Sequence, residues 1–428
     1  MNISELYQRY KQSYTVSTDT RKITDGCIFF ALKGDNFNGN KFAKVAIDKG
    51  AAFAVVDEVA YQTSPNIILV KDVLETLQTL ATYHRKQLAI PIITLTGSNG
   101  KTTTKELINA VLSKKYNATA TIGNLNNHIG VPLTLLSMTP NTEIGIVEMG
   151  ANHLKEIEFL CEIAQPDYGY ITNFGKAHLE GFGSLEGVIQ GKTELYQYLN
   201  IYNKKVFVNT NDAIQVEKSH HMQSITFGKN NADTIVKLID ANPFVKIKFE
   251  DVNINSQLIG SYNFNNIAAA IAVGSYFKVD KEDISHAIEN YIPNNNRSQI
   301  IDRGSNKIIL DAYNANPSSM KVALENLSDL TDLRKIAILG DMFELGSGAD
   351  IEHQFIGDLI NNLQIDKAYL IGEHFYKTNY PSKENKKIYL FKSYDDFKDY
   401  FSNLNNQNTT VLIKASRGMA LERVLDLF

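Results

Sequence analysis

IITLTGSNGKTTT, residues 92–104, is the stretch that decides the fold of this chain. Its apolar start, IITL, predicts a buried strand, and the glycine-bounded turn Gly97–Gly100 follows directly. A helix is predicted next, because apolar residues recur at helical spacing between Leu107 and Leu112. Strand, glycine turn and helix form a cradle in which backbone N–H groups face phosphate oxygens. The stretch therefore predicts a site for a nucleoside triphosphate.

Two side chains of this turn have defined roles in such a cradle. Lys101 reaches the terminal phosphates, and the Thr102 hydroxyl can bind Mg²⁺. The spacing departs from the general GxxxxGK[ST] pattern, because only two residues separate Gly97 from Gly100. A tight turn that merely contains Gly-Lys is the alternative, and the strand before it and the helix after it argue against that interpretation.

Composition limits the class of protein. The chain has 428 residues and a net charge of −4, so no basic surface indicates a nucleic-acid partner. Its apolar runs, such as IITL and IAILG, are too short to insert into a membrane, and MNISELYQRYKQSY lacks the apolar core of a secretory signal. Cys27 and Cys161 lie far apart and outside any CxxC, which predicts neither a disulfide nor a zinc site. These features predict a cytoplasmic protein.

Strand and helix patterns alternate along the whole chain and predict an α/β protein with three domains. Residues 1–88 form a small α/β module, and residues 89–296 form a parallel sheet with helices on both faces. Within the latter, VKIKFEDVNINSQL predicts an antiparallel excursion. Residues 297–428 form a second doubly wound domain that ends in the predicted helix GMALERVLDLF. This last domain lacks GxGxxG, so nothing indicates a dinucleotide.

Candidate metal or phosphate ligands follow the phosphate loop. Glu148 ends the predicted strand IGIVEMG, at the position where a Mg²⁺ ligand is needed, although an exposed acid at a strand end is the alternative. His178 lies after another strand, in ITNFGKAHLEGFGS, as either a structural residue or a ligand. Lys192 and Glu194 lie on a predicted helix, where a solvated face is the simpler interpretation.

Polar residues also end three strands of the last third, within LDAYNANPSS, GDMFEL and LIKASRGM. Because the carboxyl ends of parallel strands share one edge, they predict a substrate cleft facing the nucleotide. Asn316 precedes Pro317 and is equally suited to capping a helix. Arg417 can bind a carboxylate with its planar fork, or instead cap the neighbouring helix or pair with Glu422.

These motifs resemble the Mur ligase family over nearly the whole chain. TGSNGKTT matches the family's short phosphate loop, with Ser98 in place of Thr, and GNLNNHIGVPLTLL, VEMGANHLKEI and ITNFGKAHLEGFGS also match. DAYNANPSSM and LGDMFELG are typical of the member that adds D-alanyl-D-alanine. The resemblance implies a UDP-sugar domain, a central ATPase domain and a C-terminal Rossmann-like domain.

The resemblance further implies an ATP-dependent amide ligase of peptidoglycan synthesis. D-alanyl-D-alanine is joined to UDP-N-acetylmuramoyl-tripeptide through an acyl phosphate, with ATP and two Mg²⁺ ions, by a monomer that binds small molecules only. It also implies that Lys192 is carbamylated by CO₂ and that the carbamate helps to hold Mg²⁺. The alternatives are a ligase that adds another amino acid or resembles folylpolyglutamate synthetase, and a non-enzymatic nucleotide-binding switch.

The family's functional residues map onto this chain in four groups. The catalytic group is Lys101, Glu148, His178 and Lys192. ATP is bound by Gly97, Ser98, Asn99, Gly100, Lys101, Thr102, Thr103, Asn266, Arg297 and Asp311. The metal ligands are Thr102, Glu148, His178 and carbamylated Lys192. The other substrates are bound by Thr20, Arg21, Asn126, Asn127, Asn314, Asn316, Lys414, Ser416 and Arg417.

This chain departs from the family pattern in places. Asn38-Gly39-Asn40 replaces the usual DGHxF near the uridine site, and Tyr262 replaces a His.

Overall fold

The computed structural model describes residues 2–332, 334–380, 387–404 and 407–428. Each of the three predicted segments contains a separate main sheet in which parallel pairing predominates, so the predicted α/β class is confirmed. No helix in the described ranges is long and apolar enough to cross a bilayer.

The N-terminal segment holds a small parallel sheet. Its strands are β1 (Val16–Ser17), β2 (Ile28–Phe30), β3 (Lys33–Gly34), β4 (Phe37–Asn38), β5 (Phe53–Val56) and β6 (Ile67–Leu69), and its helices are α1 (Ile3–Tyr10), α2 (Ala43–Asp48) and α3 (Val73–Leu88). The sheet order is β1-β2-β5-β6, and β3 pairs only with β4. Helix α3 begins where Asp72 accepts a 2.7 Å bond from the Glu75 N–H, and it ends at Ala89 in the left-handed region.

The N-terminal segment is fixed to the central segment by side-chain donors that meet backbone carbonyls. The Tyr10 hydroxyl donates to the Leu136 carbonyl at 2.8 Å, and His84 Nε2 lies 2.8 Å from the Met138 carbonyl. Both donors are buried, so each bond is shielded from competing water.

The central segment holds the largest sheet. Its strands are β7 (Ile92–Thr96), β8 (Ala118–Ala120), β9 (Ile144–Glu148), β10 (Tyr168–Ile171), β11 (Lys205–Asn209), β12 (Gln223–Gly228), β13 (Thr234–Asp240), β14 (Phe244–Phe249) and β15 (Val252–Ile259). Its helices are α4 (Lys101–Leu112), α5 (Gly130–Leu135), α6 (Glu156–Ala164), α7 (Leu179–Phe182), α8 (Leu185–Ile201), α9 (Ala213–Ser219), α10 (Asn263–Tyr276) and α11 (Lys281–Glu289).

The order of this sheet is β15-β14-β13-β12-β11-β10-β7-β9-β8. Every residue of β7 is buried, as expected for a central strand covered by helices on both faces. Strands β13, β14 and β15 pair antiparallel, which confirms the predicted excursion.

The C-terminal segment contains a six-stranded sheet. Its strands are β16 (Gln299–Arg303), β17 (Asn306–Asp311), β18 (Lys335–Gly340), β19 (Lys367–Ile371), β20 (Ile388–Phe391) and β21 (Thr410–Lys414), and its helices are α12 (Pro317–Asp329), α13 (Ala349–Asn361), α14 (Glu373–Tyr376) and α15 (Tyr394–Phe401). The order is β16-β17-β21-β18-β19-β20, and among these described strands β16 alone runs antiparallel to its neighbour.

The C-terminal helix predicted over GMALERVLDLF is wrong. Two 3₁₀ helices, Arg417–Met419 and Leu421–Leu427, replace it, with Ala420 in the left-handed region between them. Leu421 and Val424 are both buried, and the 3₁₀ geometry places residues three apart on the same side.

Candidate active site

A cavity of about 1160 Å³ lies between the central and C-terminal segments. The carboxyl ends of β7, β9 and β10 form one wall, and those of β17, β18 and β21 contribute to the other. The predicted residues that line it are Ser98, Asn99, Gly100, Lys101, Thr102, Thr103, Asn126, Asn127, Glu148, His178, Asn266, Arg297, Asp311, Asn314, Asn316, Lys414, Ser416 and Arg417. The predicted residues outside the lining are Gly97, Lys192, Thr20 and Arg21.

The phosphate loop requires its two glycines for steric reasons. Gly97 has φ +142°, and a Cβ there would lie 2.0 Å from Oγ1 of Thr172. Gly100 has φ +79°, and a Cβ there would lie 2.6 Å from Oδ1 of Asn266. The loop thus runs in contact with the segment after β10 and with α10, and any side chain at these positions would displace it.

Lys101 is folded back onto its own loop. Its Nζ donates to the Gly97 carbonyl at 2.6 Å. Burial lowers the pKa of Lys101 to about 8, with Glu148 opposing the change and Arg297 adding to it. Since Gly100 caps α4 without a side chain, the ammonium and the start of the helix offer positive potential together.

Glu148 has one satisfied and one unsatisfied oxygen. Its Oε1 accepts from Asn126 Nδ2 at 2.8 Å and from the Thr102 hydroxyl at 3.3 Å. Its Oε2 is buried without a hydrogen-bond partner among the described residues. A buried carboxylate oxygen of this kind, next to a hydroxyl on a phosphate loop, suits Mg²⁺.

A magnesium site here needs ligands beyond unmodified acids and histidines. Within the described ranges, no group of three or more His, Cys, Asp or Glu side chains is placed to hold a metal. The Thr102 hydroxyl, phosphate oxygens, water and a modified lysine are the additional oxygen donors that Mg²⁺ accepts.

Lys192 is fully buried on α8, so the interpretation as a solvated helix face is wrong. Its Nζ donates to the Ala151 carbonyl at 3.2 Å and lies 5.1 Å from the centroid of the Phe182 ring. Burial, assisted by the charge of Lys101, holds the pKa of Lys192 well below its ordinary value. This favours the uncharged amine, which is the form that reacts with CO₂.

Glu194, the neighbour of Lys192 on α8, is also buried, and its role is structural. Its carboxylate accepts from the Lys155 N–H at 2.6 Å and from the Glu158 N–H at 3.1 Å. It therefore caps the N-terminus of α6, where a negative charge is stabilised by the exposed N–H groups.

His178 lies at the boundary between the two segments that enclose the cavity. It precedes α7 with φ +52°, and its Nδ1 lies 2.5 Å from Oε2 of Glu344. Residue-level reasoning did not select Glu344, although GDMFEL was identified as a polar strand end. The partnership joins two segments far apart in the chain, which no local pattern reveals.

Further side-chain contacts bridge these segments. Asn316 Nδ2 donates to Asn99 Oδ1 at 2.8 Å, and Lys176 Nζ lies 2.6 Å from Oε1 of Glu352. The Lys176 N–H also donates to the Ser318 hydroxyl at 2.9 Å. The C-terminal segment is thus docked directly on the phosphate loop.

The ends of β17 and β21 form a connected polar group. Lys414, which is buried, donates from Nζ to Asp311 Oδ2 at 2.6 Å and to the Asn314 carbonyl at 3.2 Å. The Ser416 hydroxyl accepts from the Phe343 N–H at 2.8 Å. These contacts hold three strand-end loops in fixed positions.

Arg417 makes the structural contact that the sequence left open. Its Nη1 lies 3.1 Å from Glu422 Oε1, and its side chain is 60% exposed at the cavity edge. Pairing with Glu422 and exposure to the cavity therefore coexist.

One residue predicted to bind ATP makes an aromatic contact that the sequence did not reveal. The guanidinium of Arg297 lies 3.8 Å from the centroid of the Tyr313 ring, and its Nε is buried without a hydrogen-bond partner among the described residues. Asn266 accepts from the Thr104 hydroxyl at 3.0 Å and donates to Asn263 Oδ1 at 2.8 Å. Tyr313 stands inside DAYNANPSSM, but its stacking depends on a residue outside that motif.

The predicted uridine-side residues lie outside this cavity. Arg21 is exposed and forms an ion pair with Asp19 at 2.7 Å, and the Thr20 carbonyl accepts from Lys49 Nζ at 2.9 Å. Asn40, where the family pattern has His, is buried and exchanges two hydrogen bonds with Asp57. The departure from DGHxF is thus accommodated by a local polar contact.

Asn127, on the wall of the cavity, has a local role. Its Oδ1 accepts from the Gly130 N–H at 2.9 Å, at the start of α5. The predicted role of Asn127 in binding a substrate stays a prediction.

Three models of one protein family match successive parts of this chain. Residues 12–85 match the Mur ligase family catalytic domain, residues 95–274 the Mur ligase middle domain, and residues 296–417 the Mur ligase glutamate ligase domain. UDP-N-acetylmuramoyl-tripeptide–D-alanyl-D-alanine ligase of Bacillus subtilis is 34% identical, covering 99% of this chain and 96% of the relative. The protein of that name from Escherichia coli is 32% identical, covering 96% and 92%.

Solved structures agree with these relatives. MurF from Acinetobacter baumannii superposes with a TM-score of 0.86 at 28% identity, covering 99% of this chain and 98% of that one. MurF ligase from Thermotoga maritima, solved in complex with ADP, has a TM-score of 0.80 at 28% identity, covering 97% and 96%.

Proposed function

This chain belongs to the Mur ligase family, and we propose that it joins D-alanyl-D-alanine to UDP-N-acetylmuramoyl-tripeptide at the expense of ATP. The observation that carries the proposal is the shared cavity, in which Asn99 of the phosphate loop bonds to Asn316 of DAYNANPSSM. The names of the relatives and the ADP complex of the Thermotoga protein support it. The product is UDP-N-acetylmuramoyl-pentapeptide, a precursor of peptidoglycan.

The proposed reaction has two steps. The C-terminal carboxylate of the tripeptide attacks the γ-phosphorus of ATP, ADP leaves, and an acyl phosphate forms. The amine of D-alanyl-D-alanine then attacks the acyl carbon, phosphate leaves with the bonding electron pair, and the amine loses a proton. Because a carboxylate is a poor acyl donor, the phosphate supplies a leaving group. The protein contributes mainly by positioning the reactants and by neutralising charge.

The residues of the phosphate loop would bind the triphosphate. Lys101 and the first N–H groups of α4 are placed to neutralise charge on the β- and γ-phosphates. Arg297, with its buried and unpartnered Nε beside the cavity, would bind a further acceptor of the nucleotide. Asn266 would lie near the adenine, held in place by Thr104 and Asn263.

The polar groups near the phosphate loop would hold two magnesium ions. Thr102 and Glu148 would hold one ion, and the unpartnered Oε2 of Glu148 supports this assignment. His178, a carbamate on Lys192 and Glu148 would hold the second. When bound, the ions supply charge neutralisation at the transferring phosphoryl group. The lowered pKa of Lys192 supports carbamylation, since the neutral amine is the reactive form.

The C-terminal strand ends would bind the incoming dipeptide. Asn314, Asn316 and Ser416 offer amide and hydroxyl groups, and Arg417 offers a fork for the dipeptide carboxylate. Lys414 and Asp311 already neutralise each other, so they would shape the pocket rather than add net charge.

The uridine would contact Thr20 and Arg21 of the N-terminal segment. We further propose that the enzyme acts as a monomer in the cytoplasm, which agrees with its two free, buried cysteines.

Phosphate release from ATP is the direct test. UDP-N-acetylmuramoyl-tripeptide is supplied with D-alanyl-D-alanine or, separately, with L-alanine, D-glutamate, lysine or diaminopimelate. Release that requires the dipeptide, with the pentapeptide product seen by mass spectrometry, supports the proposal. Release with a single amino acid would indicate another ligase of the family, and hydrolysis without any amino acid would indicate a nucleotide switch.

A further inference from the structure

His178 and Glu344 are held against each other by a side-chain contact and by one neighbouring backbone hydrogen bond. Their side chains meet through Nδ1 and Oε2, and the Glu180 N–H donates to the Glu344 carbonyl at 3.0 Å. Because an ionised carboxylate only accepts hydrogen bonds, Nδ1 is the protonated donor in this contact. The other ring nitrogen, Nε2, is thereby the one available to a ligand.

Both residues of the pair have strained backbone conformations. His178 has φ +52° and Glu344 has φ +61°. Both values lie in the left-handed region, which residues other than glycine rarely adopt. Such conformations persist where the surrounding structure fixes them. These two turns bring the side chains of His178 and Glu344 together at the contact.

The loop that carries Glu344 is held rigidly by the C-terminal segment. The Met342 N–H donates to Nε2 of the buried His353 at 2.9 Å, and the Phe343 N–H donates to the Ser416 hydroxyl at 2.8 Å. His353 Nδ1 in turn donates to the Ala349 carbonyl at 2.6 Å. Glu344 therefore moves with the C-terminal segment, whereas His178 belongs to the central segment.

We propose that Glu344 is a positioning residue that orients His178 for the reaction only while the C-terminal segment is docked. The inference rests on the proposed function, since it concerns the orientation of a proposed ligand. A histidine that binds a metal is commonly oriented by a carboxylate or carbonyl on its other ring nitrogen. Here that carboxylate comes from another segment, so docking and assembly of the site become one event.

The competing explanation is that Glu344 is only one of several contacts that hold the segments together. The Lys176–Glu352 ion pair is the matched control, because it also joins a central residue to a C-terminal carboxylate and does not touch His178. Glu352 lies outside the cavity lining. We therefore compare Glu344→Ala, Glu344→Gln and Glu352→Ala in the full-length chain.

Kinetics give the first measurement. Loss of a carboxylate that orients a ligand typically costs about 10- to 100-fold. We expect Glu344→Ala to lower kcat within that range and to change the KM for ATP little. Glu344→Gln should retain more activity, because its amide oxygen still accepts a hydrogen bond. The control, Glu352→Ala, should have kcat and KM values near those of wild type. In the double variant with His178→Asn, Glu344→Ala should add no further loss. Equal losses in Glu344→Ala and Glu352→Ala, or additive losses with His178→Asn, would overturn the inference.

A spectroscopic measurement on the protein without metal or nucleotide separates this inference from the function. In long-range ¹⁵N–¹H imidazole spectra, the His178 signal is identified by its disappearance in His178→Asn. We expect Nδ1 to be protonated in wild type, and the signal to shift in Glu344→Ala but not in Glu352→Ala. If the His178 signal is unchanged in Glu344→Ala while the wild-type enzyme forms the pentapeptide, the inference about Glu344 is refuted and the proposed function is not. A wild-type enzyme that forms no amide refutes the proposed function instead.

Discussion

Asn316 donates from its side-chain nitrogen to Oδ1 of Asn99, 2.8 Å away in the phosphate loop. The other atom of the same amide, Oδ1, accepts from the Ser319 N–H at 2.8 Å and caps α12. One side chain therefore starts a helix of the C-terminal segment and binds that helix to the nucleotide site.

These two roles of Asn316 can be separated by substitution. Serine is also a good N-cap but is too short to reach Asn99, so Asn316→Ser should change the free energy of unfolding little and still lower kcat/KM. Asn316→Ala should lose both roles and destabilise the protein by about 1 kcal/mol. Urea unfolding and ligation kinetics measure the two effects. Full activity in Asn316→Ser would show that the bond to Asn99 has no functional role.

Lys101→Ala should nearly abolish ligation while leaving the fold intact. Removing one group that stabilises developing charge costs about 3 kcal/mol or more, which is at least about a hundredfold in rate. Thermal unfolding of the variant near the wild-type temperature is the control, since its main described contact is with the Gly97 carbonyl. Wild-type turnover at saturating ATP would exclude the assignment of the phosphate loop.

Lys192→Ala should be almost inactive and partly rescued by acetate, which can supply the missing carboxylate. The control is Lys105→Ala, because Lys105 is also buried with a lowered pKa but donates to the Thr121 carbonyl at 2.6 Å. Acetate should not rescue that variant. Carbon-13 spectra with labelled bicarbonate should show a carbamate signal in wild type that Lys192→Ala lacks. Full activity of Lys192→Ala, or the same carbamate signal in it, would exclude the modification.

Arg417→Lys should raise the KM for D-alanyl-D-alanine and barely change that for UDP-N-acetylmuramoyl-tripeptide. Lysine keeps the charge but cannot form the two parallel hydrogen bonds of a guanidinium to a carboxylate. Glu422→Gln is the control, because it releases Arg417 from its ion pair without removing the fork. Steady-state kinetics with each substrate varied in turn decide the matter. If both substrates weaken equally, or if only stability falls in both variants, Arg417 is structural.

Stability should fall below neutral pH because of His84. Burial lowers the pKa of His84, and its hydrogen bond to Met138 offsets only part of that effect. The unfolded chain, with an ordinary pKa near 6.5, therefore binds more protons than the folded one just below that pH. The stability associated with neutral His84 is fully present above about pH 6.5 and is lost as the pH falls toward the folded pKa. The free energy of unfolding changes over this range by at most about 1.4 kcal/mol per pH unit.

Substitution isolates the contribution of His84. His84→Gln should flatten the decline in unfolding free energy between pH 6.5 and 5, whereas substitution of the exposed His220 should leave it unchanged. Urea unfolding across this pH range measures both. An unaltered slope in His84→Gln would place the acid sensitivity elsewhere.

Local patterns in the sequence predicted the α/β class, the phosphate loop and the polar strand ends. IITL is mostly apolar because every residue of β7 is buried, and Gly97 and Gly100 are required by close contacts of the backbone. Asn316-Pro317 predicted the start of α12 through capping chemistry alone. Such features depend on residues near each other in the chain, so they can be recognised before the fold is known.

The tertiary structure decided how these features meet. The burial of Lys192, the contact of His178 with Glu344 and the stacking of Arg297 on Tyr313 all depend on packing between distant elements. The same is true of the 3₁₀ turns near the C-terminus, where buried Leu421 and Val424 override a helical pattern. The sequence by itself determined which groups are present and which local structures carry them. Only the tertiary structure decided which are buried, which are charged and which are partners, because desolvation and contact are properties of three-dimensional packing.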